Sequence, residues 1–536
     1  MTLRDVALFL SFLVVLFLYR RSRRTTSIAN VRGPENTSWF IGNLGELLQP
    51  QAGETDFRWQ SQYGGIVRFK AAFGEDRLLV SDPKAVQHIL HAPNYRWERY
   101  KDIRKRSMVI MGNDHRRHRR IMQPGFGGPA SRALVPVFFS AAATLSNAWR
   151  DLIVQSDGQS RVFNITPWVS RATLDAIGHA GFAYNFGAME NAGNRLTQVY
   201  NNLFADVFGS PSNGTLFAMS LYGLLPLKFL AFLRDHTPGK RLDRLRALRK
   251  ITIEVARELV EEKAREVGQG KGNKDVMSLL VKANVSENEK SRLNEDELLA
   301  QMSTIFTAGH ETTANTLSWT LLELCRHPEM QKRLRRELQQ CIASRENKTG
   351  TLTAEELESL PYLNAVTKES LRYHTVAVHI QRVATADDVI PLSEPILALN
   401  GQHLNEISVQ KGQKVLISVC GYNRNKILFG EDPHEFNPDR WLDDPKTIQD
   451  AASVGVYANL ATFAGGLHSC IGWRFAVLEL QAFIVELISN FEFSLTPECS
   501  RIRRELATVM LPTLEGEIEK GVQCPLLVKC VARDKD

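Results

Sequence analysis

The segment that most constrains this chain is Phe463-Ala464-Gly465-Gly466-Leu467-His468-Ser469-Cys470-Ile471-Gly472, followed by a helical run from Arg474 to Leu480. Its spacing, F-x-x-G-x-x-x-C-x-G, is expected by chance about 0.001 times in a chain of this composition. The glycines let backbone approach a flat partner closely. Cys470 falls just before a helix start, where backbone N–H groups and the helix dipole favour a thiolate. The rival readings are an inert buried thiol in a tight turn and a cysteine-protease nucleophile. No matching His/Asn pattern stands out for the protease.

The rest of the composition is that of an ordinary globular chain of 536 residues, 43% hydrophobic and 23% charged. The seven cysteines include no C-x-x-C pair, which disfavours a disulfide framework or a structural zinc site. The net charge of +7 is local: residues 1–24 carry +4 and residues 101–120 carry +6. A uniformly basic nucleic-acid binder is therefore not supported, and no nucleic-acid partner is expected. The basic stretch 101–120 reads either as a dock for an acidic partner or as a solvated helix face.

A single long apolar run, Val6 to Tyr19, excludes a polytopic membrane protein. As a helix it spans about 21 Å, short of the ~30 Å hydrocarbon core, and Arg20, Arg21, Arg23 and Arg24 follow it. No small-x-small cleavage site follows, and the trailing basic cluster favours an uncleaved anchor with the body in the cytoplasm. Snorkelling arginines would cover the short length. The expected organisation is a membrane signal anchor over 1–24, a linker and the start of the body over 25–64, and one catalytic domain over 65–536.

Along the body, Ile66–Phe69 and Leu78–Val80 predict a hairpin, and Asp82-Pro83 predicts a helix start. Residues 130–260 are helical in pattern, and strand-like pieces return at 395–400 and 413–418. The very apolar stretch 216–233 reads as a buried helix pair or as a loop dipping into the membrane. Residues 294–326 predict one helix of about 50 Å, capped by Asn294 with Glu297 and stopped before Pro328. The fold class is mainly α with small β-sheets.

Midway along that helix lies Ala308-Gly309-His310-Glu311-Thr312-Thr313. Ala308 and Gly309 make one face small, at a helix cost of up to about 1 kcal/mol for the glycine. Thr312 can back-bond to the preceding turn and bend the helix, leaving a groove, and Glu311 beside it is a proton source. A third element, Glu369-Ser370-Leu371-Arg372, stands about 100 residues before Cys470, with Phe436-Asn437-Pro438-Asp439-Arg440-Trp441 between them. Arg440 can complete a structural Glu369–Arg372–Arg440 network behind the cysteine loop.

In this order the four segments resemble the cytochrome P450 superfamily of haem-thiolate monooxygenases, and the resemblance runs from the anchor to the C-terminus. It implies a P450-like fold with haem b held between the long helix and the cysteine loop, and Cys470 as the axial ligand of the iron. It places Phe463, Gly466, Gly472, Ala308 and Gly309 against the cofactor, with Thr312 and Glu311 as catalytic residues that steer protons. Arg382, in Arg382-Val383-Ala384, resembles the family's propionate-binding arginine, and Arg119 matches the arginine of a Trp-x-x-x-Arg pattern. Two departures are His115, where tryptophan is common, and His468, where arginine is common two residues before the cysteine. Both histidines can hydrogen-bond a propionate, and nearby propionates are expected to raise their pKa.

The implied activity is insertion of one oxygen atom from O2 into a lipophilic small molecule, with electrons from NADPH. No nucleotide-binding loop or flavin domain is evident, so a separate reductase is required: NADPH-cytochrome P450 reductase, with cytochrome b5 as a further donor. The combination resembles membrane-bound fungal members, which suggests secondary metabolism, a terpenoid-like substrate and an endoplasmic reticulum location. An enzyme that rearranges or dehydrates without a reductase is disfavoured by the intact Glu311-Thr312 pair. A haem sensor is disfavoured because no sensor or DNA-binding module is attached. Ile305, Phe306, residues 101–113, Val376–Ile380 with His379, and Leu511–Leu514 are the expected pocket lining.

Overall fold

The computed structural model describes residue 12 and residues 27–99, 112–156, 158–190, 195–200, 202–222, 225, 227–269, 276–284, 288, 292–345, 351–442 and 453–531. Apart from Phe12, the expected anchor lies outside these, as do residues 101–111, and no helix among the described residues is long and apolar enough to cross a membrane.

The expected hairpin forms from β1 (Ile66–Lys70) and β2 (Asp76–Val80), paired antiparallel with Ile66 opposite Val80. It belongs to a five-stranded sheet of order β1-β2-β8-β5-β3, where β3 is Trp97–Glu98, β5 His379–Ala384 and β8 Lys414–Ser418. A smaller sheet joins β4 (Ser160–Asn164), β12 (Pro525–Cys530) and β9 (Phe491–Leu495). Two ribbons complete the β component: β6 (Asp388–Leu397) with β7 (His403–Val409), and β10 (Ile502–Leu506) with β11 (Met510–Leu514).

Ten helices carry the argument. They are α1 (Pro83–His91), α2 (Gly112–Met122), α3 (Val135–Gln155), α4 (Ile165–Phe182) and α5 (Asn213–Tyr222). Then follow α6 (Leu227–His236), α7 (Lys240–Gly268), α8 (Glu295–Arg326), α9 (Pro361–Tyr373) and α10 (Trp473–Asn490). At α1 the Asp82 side chain accepts from the Ala85 N–H, and Pro83 occupies the first turn, where its missing donor costs nothing.

The 32 residues of α8 make a rod of about 48 Å. Asn294 and Glu297 form the reciprocal capping box. The Glu297 carboxylate also takes Arg117 and His118 of α2, and Gln301 binds His118 at 3.0 Å. Two members of the basic stretch therefore face inward and dock one helix on another. Gly309 has a packing reason: a Cβ there would meet Ile177 of α4 at 2.9 Å. The glycine lets α4 approach α8, and the small face expected to receive a flat ligand is instead partly a helix–helix seam. On the other side of the core, α3 and α10 pack through Phe138 and Phe475, whose rings lie 4.7 Å apart.

The apolar stretch 216–233 does form a helix pair, α5 and α6, but α6 is not buried, since Phe229 and Phe232 are exposed. The strand expected at 395–400 starts earlier, at Asp388, because its pairing with β7 is set by the Asp388–Val409 register.

One core group is out of place by charge. Glu479 of α10 is fully buried, neither carboxyl oxygen closes a full hydrogen bond, and its nearest polar neighbour is Thr313 of α8. Burial pushes its pKa up to about 8. A folded-state pKa above the unfolded one makes the native state the better proton binder. The contribution of this group is complete below the unfolded value of 4.5 and is lost as pH rises through about 8. Glu479→Gln is therefore expected to melt with wild type at pH 5 and several degrees above it at pH 8.5, by differential scanning calorimetry.

Candidate active site

The cysteine loop is held from behind by buried charge. Arg372 of α9 grips Glu369 bidentately, Nε to Oε2 at 2.8 Å and Nη2 to Oε1 at 2.7 Å, with both side chains fully buried. Arg440 Nε reaches Oε1 at 3.1 Å, and the Trp441 indole and Asn437 backbone N–H donate to the same carboxylate. Arg372 also donates to the carbonyls of Asn423, Pro433 and Glu435. Asn423 then binds Thr462 Oγ1 and the Ala461 N–H, and Thr462 donates to the Leu371 carbonyl. The network thus ends on the residues that open the loop.

Within the loop the Cys470 N–H donates to the Phe463 carbonyl at 2.8 Å. Gly466 has a positive φ of 63°, and a Cβ there would meet the Leu90 carbonyl at 1.9 Å, so α1 lies directly on the turn. Gly472 is the N-cap of α10. Of the seven cysteines, all free, Cys470 alone is exposed. It sits deep among protein atoms, and burial pushes its thiol pKa up while the Gly472 N–H and Arg119 pull it down. The helix start therefore helps the thiolate without outweighing burial; a coordinating metal deprotonates a thiol outright.

On α8, Thr304 and Ala308 are exposed and Thr312 is half-buried, one helical stripe at four-residue spacing, while Phe306, His310, Thr313 and Ala314 are buried. The stripe is the open face of the rod. Phe306 does not belong to it, because its ring packs on Phe182 and Phe186. His379 is not a polar pocket residue either: its Nε2 lies 2.8 Å from Asp56 Oδ1. Thr312 back-bonds to the Ala308 carbonyl at 2.8 Å. The Glu311 carboxylate turns to α4, where it accepts from Ser170 Oγ at 3.0 Å.

Beside Cys470 the positive groups gather. Arg119 of α2 donates to the Ser469 carbonyl at 2.5 Å and to its hydroxyl at 3.0 Å. Arg382 of β5 is buried and, among the described residues, donates only to the adjoining Gln381 carbonyl; burial and Arg99 lower its pKa to about 9. The His115 and His468 rings lie 4.4 Å apart, and Tyr95 contacts both. Burial, together with Arg99, Arg119 and Arg382, lowers His115 to about 4 and His468 to about 2. Without an anion in place, the guanidinium groups of Arg99, Arg119 and Arg382 and the burial of the rings disfavour the charged imidazoles; the expected rise in pKa belongs to the state in which propionates stand beside them. Arg99, just after β3, is the member that sequence reasoning missed. Its neighbour Arg96 is spent on Asp388, and nothing in the local pattern separates the two.

Among the described residues no carboxylate pairs with Arg99, Arg119 or Arg382, and both ring nitrogens of buried His468 lack a hydrogen-bond partner.. Unpaired buried charge is costly, so this cluster asks for an anion of about two charges. The two propionates of a haem would fit it, and the Cys470 sulfur is the group that would hold the iron. Bound there, a haem-thiolate supplies the activation of dioxygen.

The donor set orders the variants. Arg382→Ala is expected to speed haem transfer to a scavenger globin most, since that guanidinium is buried with no other acceptor. Arg119→Ala should come next, because part of its fork is spent on Ser469, and His115→Ala should come last. Each arginine is worth about 1.5–3 kcal/mol, the range for a hydrogen bond to a charged group. Stopped-flow absorbance reads the rates directly.

A family model described as Cytochrome P450 matches residues 32–519. Cytochrome P450 monooxygenase 205 of Postia placenta is 34% identical over 525 residues, covering 94% of this chain and 93% of its own length. Cytochrome P450 monooxygenase claW of Ampulloclitocybe clavipes is 31% identical over 538 residues, covering 97% and 96%. Matched along nearly its whole length, and with its one open cysteine set among arginines that await a dianion, the chain belongs to the cytochrome P450 family and is a haem-thiolate monooxygenase.

Proposed function

We propose that this enzyme oxidises a lipophilic small molecule of fungal secondary metabolism, with a terpenoid-like scaffold as the leading substrate class. Electrons come from NADPH through a separate NADPH-cytochrome P450 reductase, with cytochrome b5 as an auxiliary donor. The observation that carries the reading is the pairing of Cys470, open within the arginine cluster, with the open stripe Thr304–Ala308–Thr312 on α8. The small side chain of Ala308 leaves room for a flat group. The hydroxyl of Thr312 donates to a carbonyl, so its lone pairs are free to accept. Glu311, next along the helix, holds the proton that Thr312 passes on. The fungal source of the relatives supports the metabolic assignment.

The test is reconstitution with haem, reductase, NADPH and a panel of lipophilic substrates. Wild type should give a ferrous–carbon monoxide spectrum typical of thiolate ligation, and oxygenated product. Cys470→Ser should lose both. Thr312→Ala should keep the spectrum but lower product per NADPH about tenfold or more, with peroxide released instead, since a positioned proton donor is worth about 10²–10⁴-fold. Unchanged product per NADPH in Thr312→Ala would remove that residue from the mechanism.

The location we propose is the endoplasmic reticulum membrane, with residues 1–24 as a single-pass anchor and the body in the cytosol. Supporting it, Trp39 and Phe40 are exposed and join Phe73 and Phe217 in one aromatic cluster, with rings 5.3–5.9 Å apart. Aromatic side chains of this kind suit the membrane interface. Deleting residues 1–24 should shift most of the protein from the microsomal pellet to the supernatant. Further release on Phe229→Ser/Phe232→Ser would assign a residual contact to α6. Protection of the body from protease in sealed microsomes would refute the orientation.

A further inference from the structure

Behind the open stripe of α8, on the side facing α4, lies a polar cluster with one proton too few for its geometry. His310 is fully buried. Its Nδ1 lies 2.5 Å from the Phe306 carbonyl, which can only accept, so Nδ1 carries the hydrogen. In the neutral ring Nε2 is then an acceptor. Yet Nε2 stands 3.3 Å from Oε1 of Glu311, an ion-pair distance, and makes no hydrogen bond there or to any other described group. An imidazole lone pair and a carboxylate oxygen repel each other at that distance, and a proton on the pair turns the repulsion into attraction. The same Oε1 receives the Ser170 hydroxyl at 3.0 Å, and Oε2 faces Asn315 Nδ2 at 3.3 Å. Ser170, on the side of α4 that meets α8, is only half-buried.

We propose that His310 and Glu311 hold one shared proton in reserve, and that Ser170 is the positioning residue through which solvent refills it. The proposal rests on the reading of Glu311 and Thr312 given above. When Glu311 gives its proton to the side chain of Thr312, the Ser170 hydroxyl proton moves to Oε1 and a proton from water replaces it on Oγ. Serine ends neutral, water has lost one proton, and the His310–Glu311 pair is restored. Among the described residues no other charged side chain pairs with Glu311. Arg171 of α4 stacks on Trp168, Asp175 accepts from the Ala188 and Met189 N–H groups, and Glu479 of α10 faces Thr313. Tyr200 packs edge-on against the His310 ring and hydrogen-bonds Thr307, which closes the reserve on that side.

The test compares Ser170→Ala and Ser170→Thr with Glu311→Gln in the haem-loaded, reductase-coupled enzyme. Melting and the ferrous–carbon monoxide spectrum serve as controls on the fold. Ser170→Ala should lower product per NADPH about tenfold, the worth of one hydrogen bond to a charged group, and enlarge the solvent deuterium isotope effect. Ser170→Thr should restore both. Infrared difference spectra supply a readout apart from turnover. A protonated-carboxyl stretch present in wild type and absent in Glu311→Gln should shift in Ser170→Ala. If Ser170→Ala matches wild type while Glu311→Gln is impaired, the inlet is overturned and the relay stands. If Ser170→Thr is no better than Ser170→Ala, the role of Ser170 is packing and the inlet is again overturned. If Glu311→Gln matches wild type in coupling, the relay itself falls.

Discussion

The Glu369 carboxylate is the point on which the rest of the structure depends. Fully buried, it is held by two guanidinium groups, an indole N–H and a backbone N–H. Removing one partner of such a pair leaves an uncompensated charge, at a cost of about 3–5 kcal/mol. The cluster does no chemistry. It fixes α9 against the 430s segment, and through Asn423 and Thr462 it fixes the start of the cysteine loop. The position of Cys470 is thus set by charges in its interior supports more than by its own neighbours.

The site itself is built on the opposite principle. Behind the loop the Glu369 carboxylate is matched by Arg372 and Arg440; in front of it Arg99, Arg119 and Arg382 converge without a carboxylate among the described residues. Their repulsion and burial show in the histidines, which are driven well below their ordinary pKa. An anionic ligand would relieve that repulsion, so part of its binding energy is already stored as electrostatic strain in the protein. The substitution of His115 and His468 at positions where larger donors are common is tolerable for the same reason. Arg99 supplies a further positive charge beside the two imidazoles.

Helix α8 reconciles two demands along one rod. One face is packed to the limit, with Gly309 against Ile177 and Phe306 between Phe182 and Phe186. The other stays open at Thr304, Ala308 and Thr312. Hydroxyl side chains at 304, 307, 312, 316, 318 and 320 all return to the carbonyl four residues back. Such back-bonding satisfies buried hydroxyls locally and softens the helix where it occurs. The polar groups of the proton reserve lie between these two faces.

The sequence by itself determined the elements whose signals are local. The capping box at Asn294 and Glu297, the Asp82-Pro83 helix start and the hairpin over 66–80 depend on residues a few positions apart, and all three form as the pattern predicts. The cysteine loop and its spacing to Glu369 were legible for the same reason, as improbable strings of residue types. Only the tertiary structure decided which side chains meet. It assigned Gly309 to a seam with Ile177, turned Phe306 onto Phe182 and His379 onto Asp56, exposed Phe229 and Phe232 in a stretch that reads either as a buried helix pair or as a loop dipping into the membrane, and brought Arg99 beside Arg382 across nearly 300 positions. It also set the positive surroundings of both histidines, because a pKa is set by every charge within a few ångströms and by burial, and neither quantity is written along the chain.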